Sequence, residues 1–323
     1  MTRRLKPLAG LLAFLLAAAA CSPGAPETAT PAGPDGDQLA PQIASYDLAV
    51  GSQRFLVGLL SRETELVGGG EVNFKFAYLG TRTQQTSGEV VAEAKASYLP
   101  IPAEADGPEP DVPDKPSILS GAGGSGVYST EATFDRAGFW GVVVEADVEG
   151  RGLWTGRATF EVLDTHRFPW IGEDAPRSQN LTMSSTDAPR SAIDSRARED
   201  REVPDPELHQ MTVADGIASG KPTLVVVSTP TYCVSRFCGP ITDMVHRLSK
   251  DYSNEANFVH IEVWRDFENK EVNRAAAEWV LRDESILEPW VFLIDAEGKI
   301  AGRWDNVATK GELEPALKTL TTS

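Results

Sequence analysis

An apolar run from Leu8 to Ala20 follows Arg3, Arg4 and Lys6, and after it the hydrophobic pattern of the chain changes repeatedly. Residues 21–44 are rich in Pro, Gly, Ala and Thr and offer almost nothing to bury, which predicts a flexible tether. Over residues 45–164 the period is two. "EVNFKFAY" sets Val72, Phe74, Phe76 and Tyr78 against Glu71, Asn73, Lys75 and Ala77. "WGVVVEADV" puts Trp140, Val142, Val144, Ala146 and Val148 on one face, and "WTGRATFEV" repeats the alternation with Trp154, Ala158, Phe160 and Val162. Half-buried strands punctuated by "GGG" at 68–70 and "DRAG" at 135–138 predict an antiparallel β-sandwich. Between them, "IPAEADGPEPDVPDKPSILSGAGGSG" is too rich in Pro and Gly for a strand and reads as a long loop.

Residues 165–206 are polar and proline-rich and read as a linker, although Trp170 and Ile171 are costly to leave in water. Beyond them, residues 207–323 alternate between two periods. "TVADGIASG" predicts a short helix and "PTLVVVS" a buried strand. "PITDMVHRLSKDY" predicts a helix with Ile241, Met244, Val245, Leu248 and Tyr252 on one stripe. A second strand ("NFVHIEVW"), a helix ("EVNRAAAEWVLRD"), a hairpin through Glu297 and Gly298, and a closing helix ("KGELEPALKTL") complete an α/β order.

The first twenty residues have the parts of an export signal: basic residues, an apolar stretch too short to span a bilayer comfortably, and a small-residue end. "AAAC" resembles the lipobox of bacterial lipoproteins. That resemblance implies cleavage before Cys21, lipid modification of Cys21, and a protein held on the extracytoplasmic face of the cell membrane. Removing residues 1–20 takes away three basic side chains and no acidic one, moving the formal charge from −17 to −20. So acidic a chain is not expected to bind nucleic acid.

With Cys21 assigned to lipid, Cys233 and Cys238 are the remaining thiols, and an oxidising compartment leaves them only each other. They fall where the buried strand hands over to the helix, whose N-terminus favours a thiolate. On a continuous helix, side chains five apart point about 140° away from each other and could not bridge. A helix starting near Pro240 would leave both on the loop, where a small-ring disulfide is feasible.

"CGPI", Cys238 to Ile241, resembles the Cys-Gly-Pro-Cys site of thioredoxins, with Phe237 in place of the usual Trp and Ile241 in place of the second Cys. The element order of 207–323 is also that of a thioredoxin fold. The resemblance implies Cys238 as the nucleophile and Cys233 as its resolving partner. It also implies a cis bond before Pro289 and a substrate groove lined by Phe237, Glu288 and Pro289. "TPTYCVSRFC" is similar instead to the Thr-Pro-Gly-Cys-x4-Cys stretch of Q-type peroxiredoxins, which implies Cys233 as nucleophile, although Pro230 and Val226 stand where that family has Thr and Pro. The copper-handling Sco proteins share the fold with a Cys-x3-Cys pair and a distant His. Here the spacing is four and the downstream histidines are His246 and His260, so metal is a minor alternative. "YSTEATFDRAGFWGVVVEA" resembles the late strands of immunoglobulin-like bacterial surface domains.

The expectation is therefore an immunoglobulin-like β-sandwich followed by a thioredoxin-like α/β domain, in a lipoprotein that exchanges disulfides through Cys233 and Cys238. Protein thiols or disulfides, or peroxide, are the expected partners, and no cofactor or resident metal is expected. The alternatives are a peroxiredoxin-like thiol peroxidase and a non-enzymatic surface protein in which the pair is a staple.

Overall fold

The computed structural model describes residues 38–101, 111–119, 125–199 and 201–321. Residues 1–37, which take in Cys21, the expected signal and most of the expected tether, lie outside the described residues; the end of that tether is not free, since Leu39–Ile43 pairs as a strand with residues 57–61. Among those described, the chain is mostly β-sheet with four α-helices, and no helix is long and apolar enough to cross a membrane.

Nine strands form: β1 (Leu39–Ile43), from the end of the expected tether, and β2 (Gly51–Ser61), β3 (Leu66–Gly68), β4 (Glu71–Gly80), β5 (Val90–Pro100), β6 (Ser117–Ile118), β7 (Gly126–Phe134), β8 (Gly138–Val148) and β9 (Gly152–Val162). They make one antiparallel sheet in the order β6-β3-β2-β7-β5-β4-β8-β9, with β1 also paired to β2. The sheet curls on itself. Gln38 N–H donates to Thr155 O at 2.9 Å, which brings β9 against the β1 side. Inside the curl Phe55, Phe74, Phe76, Phe134 and Phe160 meet mostly edge to face, with Trp140 against Phe134. This core is what the alternation encodes, since each buried aromatic side chain contributes about 1.5–3 kcal/mol by leaving water.

Of the Pro- and Gly-rich loop expected at 101–126, residues 102–110 and 120–124 lie outside the described residues. The part between them is not wholly loop, since β6 pairs with β3. Gly69 and Gly70 have φ of 94° and 53°, and a Cβ on either would lie under 3 Å from the backbone of residues 113–115, so the "GGG" turn is what lets this segment close in.

The second sheet runs β11-β10-β16-β17. It comprises β10 (Thr223–Ser228), β11 (Asn257–Glu262), β16 (Trp290–Ile294) and β17 (Ile300–Asp305), with β11 parallel and β16 antiparallel to β10. Two short ribbons, β12 (Trp264–Asp266) with β13 (Glu271–Val272) and β14 (Leu281–Arg282) with β15 (Ser285–Ile286), flank it. Both faces are covered, which is why β10 reads as a continuous apolar run. Helices α1 (Val213–Ala218) and α3 (Arg274–Val280) pack Ile217, Trp279 and Val280 on one side with Val225, Val227 and Phe292. Helices α2 (Cys238–Tyr252) and α4 (Lys310–Thr321) pack Ile241, Val245, Leu248, Leu313 and Leu317 on the other with Leu224, Val226 and Val291. The α2 stripe is the one its sequence period predicts, but the helix begins two residues before Pro240, so Cys238 is helical and Cys233 alone is on the loop.

The expected linker 165–206 is packed at several points among its described residues, with Ile193, Ala197 and Val203 forming a small cluster of their own. Phe168 enters the second core, and the Arg303 guanidinium lies 4.5 Å from the Trp170 ring centre and 4.6 Å from that of Trp290. Ile171 stays half exposed. Asp47, fully buried in the β1–β2 connection, accepts from Arg303 at 3.0 Å and from the Arg167 N–H at 3.1 Å, and lies 3.0 Å from His166 Nδ1. Arg54 on β2 reaches Val307 O at 2.8 Å and Glu312 at 2.9 Å. These charged contacts join the two sheets directly.

Candidate redox site

Strand β10 ends at Ser228, the chain crosses a nine-residue loop over 229–237, and α2 begins at Cys238. Phe237 occupies the N-cap position with helical dihedrals and no side-chain cap. A helix start normally needs an oxygen acceptor for its first N–H groups. Here sulfur supplies one: Cys238 N–H donates to Cys233 Sγ at 3.3 Å, and Ser235 Oγ lies 3.3 Å from the same sulfur. Arg236 adopts a left-handed φ of 65°, and the resulting turn brings the two cysteine Cα atoms to 6.0 Å, where they are joined by a disulfide. The pair is unequal. Cys238 is 0% exposed, whereas Cys233 is partly open and its neighbour Val234 is 94% exposed.

Beneath the disulfide lies a carboxyl. Glu288 Oε2 is 2.5 Å from Cys238 Sγ. A disulfide sulfur carries no proton, so this contact is a hydrogen bond only in the protonated form of Glu288, with the carboxyl as donor. Burial, with the nearby Glu262 charge adding to it, pushes Glu288 up to about 7, while the Thr229 N–H works in the opposite direction. Glu262, at the end of β11, is fully buried and is itself raised by burial; it accepts from Ser195 N–H at 2.7 Å and Trp264 N–H at 3.2 Å. Tyr46, from the β1–β2 connection of the first sheet, donates its hydroxyl to Glu288 O at 2.7 Å and lies 2.9 Å from Asn306 Oδ1. Burial and the Glu288 and Asp305 charges hold the Tyr46 phenol well above its usual range, so it stays a donor. The Glu288–Pro289 peptide bond is cis and Pro289 is buried.

Cys233, Cys238, Glu288 and Pro289 are thus gathered at one place. Phe237 is adjacent but is wedged between the two sheets, against the cluster of Leu56, Ile101, Val127 and Val307. On the open side, Tyr232 stacks on Phe267 with ring centres 3.8 Å apart, giving the loop an aromatic flank. Cys233, Cys238 and Glu288 form a close trio, yet a metal ligand must be a thiolate, which a disulfide is not.

Three contributors are not singled out by the sequence: Glu262, Ser235 and Tyr46. Glu262 carries a signal, a carboxylate inside the strand predicted over "NFVHIEVW". Tyr46 carries none, because its partner is 242 residues away. Comparison with protein-family models and with curated proteins finds no match.

Proposed function

We propose that this protein is a membrane-anchored, extracytoplasmic thiol–disulfide oxidoreductase whose reactive pair is Cys233 and Cys238. In this reading residues 207–323 form a thioredoxin-like domain, and the immunoglobulin-like sheet is its packing partner and spacer. The observation that carries the proposal is a disulfide at a helix N-terminus with a carboxyl poised near neutrality against its buried sulfur. A staple needs no such proton donor and acceptor; a thiol exchanger does.

The exposure of the two sulfurs favours Cys233 as the attacking thiol, the reverse of the order expected from "CGPI". Cys233 is the reachable one, and as a thiolate it would keep the Cys238 N–H and the helix end as stabilisers. In the oxidising direction a substrate thiolate attacks Cys233 Sγ, and the S–S bond breaks toward Cys238. Cys238 leaves with the electron pair and takes the Glu288 proton. A second substrate thiolate then attacks the substrate sulfur of the mixed disulfide and releases Cys233 as thiolate. One substrate disulfide forms and one protein disulfide is reduced to a dithiol. Reduction of a substrate runs through the same steps backwards, with Glu288 taking the Cys238 proton.

Val234 and the Tyr232–Phe267 stack give Cys233 apolar surroundings suited to a polypeptide substrate. The test is mixed-disulfide trapping. Cys238→Ser protein, whose Cys233 thiolate attacks a substrate S–S bond and releases one substrate thiolate, should accumulate a covalent adduct with a disulfide-containing model protein, and Cys233→Ser should not. Adducts on neither variant would leave only the staple.

A further inference from the structure

A second cluster of chemistry-bearing side chains lies between β11 and the segment that precedes α1. Asp194, Asp205 and His209 come from the packed segment that precedes α1, and His260 comes from β11; all four are between 0% and 1% exposed. One ligand atom from each lies within 4.8 Å of the others. His209 Nε2 is 3.3 Å from Asp205 Oδ1 and 3.8 Å from Asp194 Oδ2, and His260 Nδ1 is 3.4 Å from Asp194 Oδ2. Despite these distances, Asp205 Oδ1, both His209 ring nitrogens and His260 Nδ1 have no hydrogen-bond partner. Buried polar atoms left unpaired are costly, and three of these, Asp205 Oδ1, His209 Nε2 and His260 Nδ1, converge with Asp194 Oδ2 on a common centre that an occupant would satisfy.

We propose that these residues form a binding site for one divalent metal ion of the zinc type, held by His209 Nε2, His260 Nδ1, Asp194 Oδ2 and Asp205 Oδ1. Two imidazoles and two carboxylates are a donor set that zinc accepts in tetrahedral geometry. With bonds of about 2.0–2.1 Å, the edge of such a tetrahedron is about 3.3–3.4 Å. Two of the three recorded separations have that length, and the third, 3.8 Å, closes with a small side-chain adjustment.

The surroundings fit as well. His260 Nε2 lies 3.0 Å from Ser228 Oγ and 3.3 Å from Ser228 O, so that nitrogen carries the proton and Nδ1 presents its lone pair to the centre. Arg196 holds both carboxylates from the side, with Nη2 at 2.6 Å from Asp194 Oδ2 and 2.5 Å from Asp205 Oδ2, while Nη1 pairs with Asp243 at 2.7 Å. Three aspartates against one arginine leave two negative charges, which one divalent cation cancels when both histidines are neutral. The ion would pin residues 194–209 to β11. It would also brace the cysteine loop, because Ser195 beside Asp194 accepts from Thr231 N–H at 3.0 Å and donates its own N–H to Glu262.

The test uses the full chain without an affinity tag, in detergent, with Zn²⁺ and Co²⁺ alone as probes. After exposure to Zn²⁺ and dialysis, elemental analysis should find one equivalent per chain, and stripping with a strong chelator should lower the melting temperature by several degrees. Co²⁺ added to the stripped protein should give the intense visible bands of a four-coordinate ion. Asp205→Asn and His209→Gln should weaken Co²⁺ binding at least tenfold. If either variant does not fold, the wild-type cobalt spectrum decides. The proposal is overturned if the wild type retains no metal and its melting temperature ignores both chelator and Zn²⁺, since the cluster would then be a network of protonated histidines and carboxylates. A folded variant with an undiminished cobalt spectrum would overturn it equally.

Discussion

Replacing Glu288 by Gln should make the protein more stable and less active, and the two effects should share one pH dependence. Holding this carboxyl at about 7 instead of its ordinary 4.5 means that ionising it costs the folded state about 3 kcal/mol. A raised pKa contributes stability that is complete below the unfolded value and is lost as pH rises through the folded one. The wild type should therefore match Glu288→Gln near pH ~4 and fall behind it by up to about 3 kcal/mol above pH ~8, the loss spread across the interval between those two pKa values. Denaturant unfolding of the oxidised proteins across pH measures that difference. For chemistry the amide neither gives nor accepts the Cys238 proton, and general acid–base groups of this kind contribute about 10²–10⁴-fold. Quenched thiol-trapping during reduction by a small dithiol should show a wild-type rate with an inflection near pH ~7, and a variant slowed at least ~100-fold without it. A Glu288→Gln protein that exchanges at the wild-type rate and keeps the inflection would refute the assignment of Glu288 as proton donor and acceptor.

Alkylation of the reduced single-cysteine variants across pH should find the variant retaining Cys233 faster near neutrality than the one retaining Cys238; the opposite ranking restores the order read from "CGPI". Asp47→Ala leaves the Arg303 guanidinium buried without its carboxylate and should cost about 3–5 kcal/mol in chemical denaturation, whereas a change under about 1 kcal/mol would show that the Asp47 contacts do not hold the sheets together. Cys21→Ser should release the protein from the membrane fraction, because acyl chains contribute roughly 0.8 kcal/mol per buried methylene, and unchanged fractionation would remove the lipobox from the account.

The features legible in the sequence are those set by local period and by one-sided burial. Alternation in β4 and β8 survives because one face meets the phenylalanine core, and the apolar run of β10 survives because helices cover both of its faces. What was illegible depends on partners distant in sequence. The curl of the first sheet rests on a contact between Gln38 and Thr155, and β6 forms only because the loop closes over Gly69 and Gly70. The polar segment 165–206 shows no period because charge pairs hold it, among them Arg196 with Asp194, Asp205 and Asp243. At the site, the cysteine pair and the cis bond before Pro289 were legible from short motifs. The start of α2 was misplaced because Pro240 suits any first-turn position, and the cap at Cys238 is a sulfur five residues back instead of a neighbouring Ser or Asp.

The central claim is that the Cys233–Cys238 couple cycles. Its midpoint potential, measured by equilibration with glutathione or dithiothreitol buffers and thiol trapping, tests this directly. Stabilisation of the Cys233 thiolate by the helix end favours the reduced form, so the expected value lies within the range of catalytic couples, about −120 to −270 mV. A potential below roughly −300 mV would mark an inert structural disulfide and contradict it.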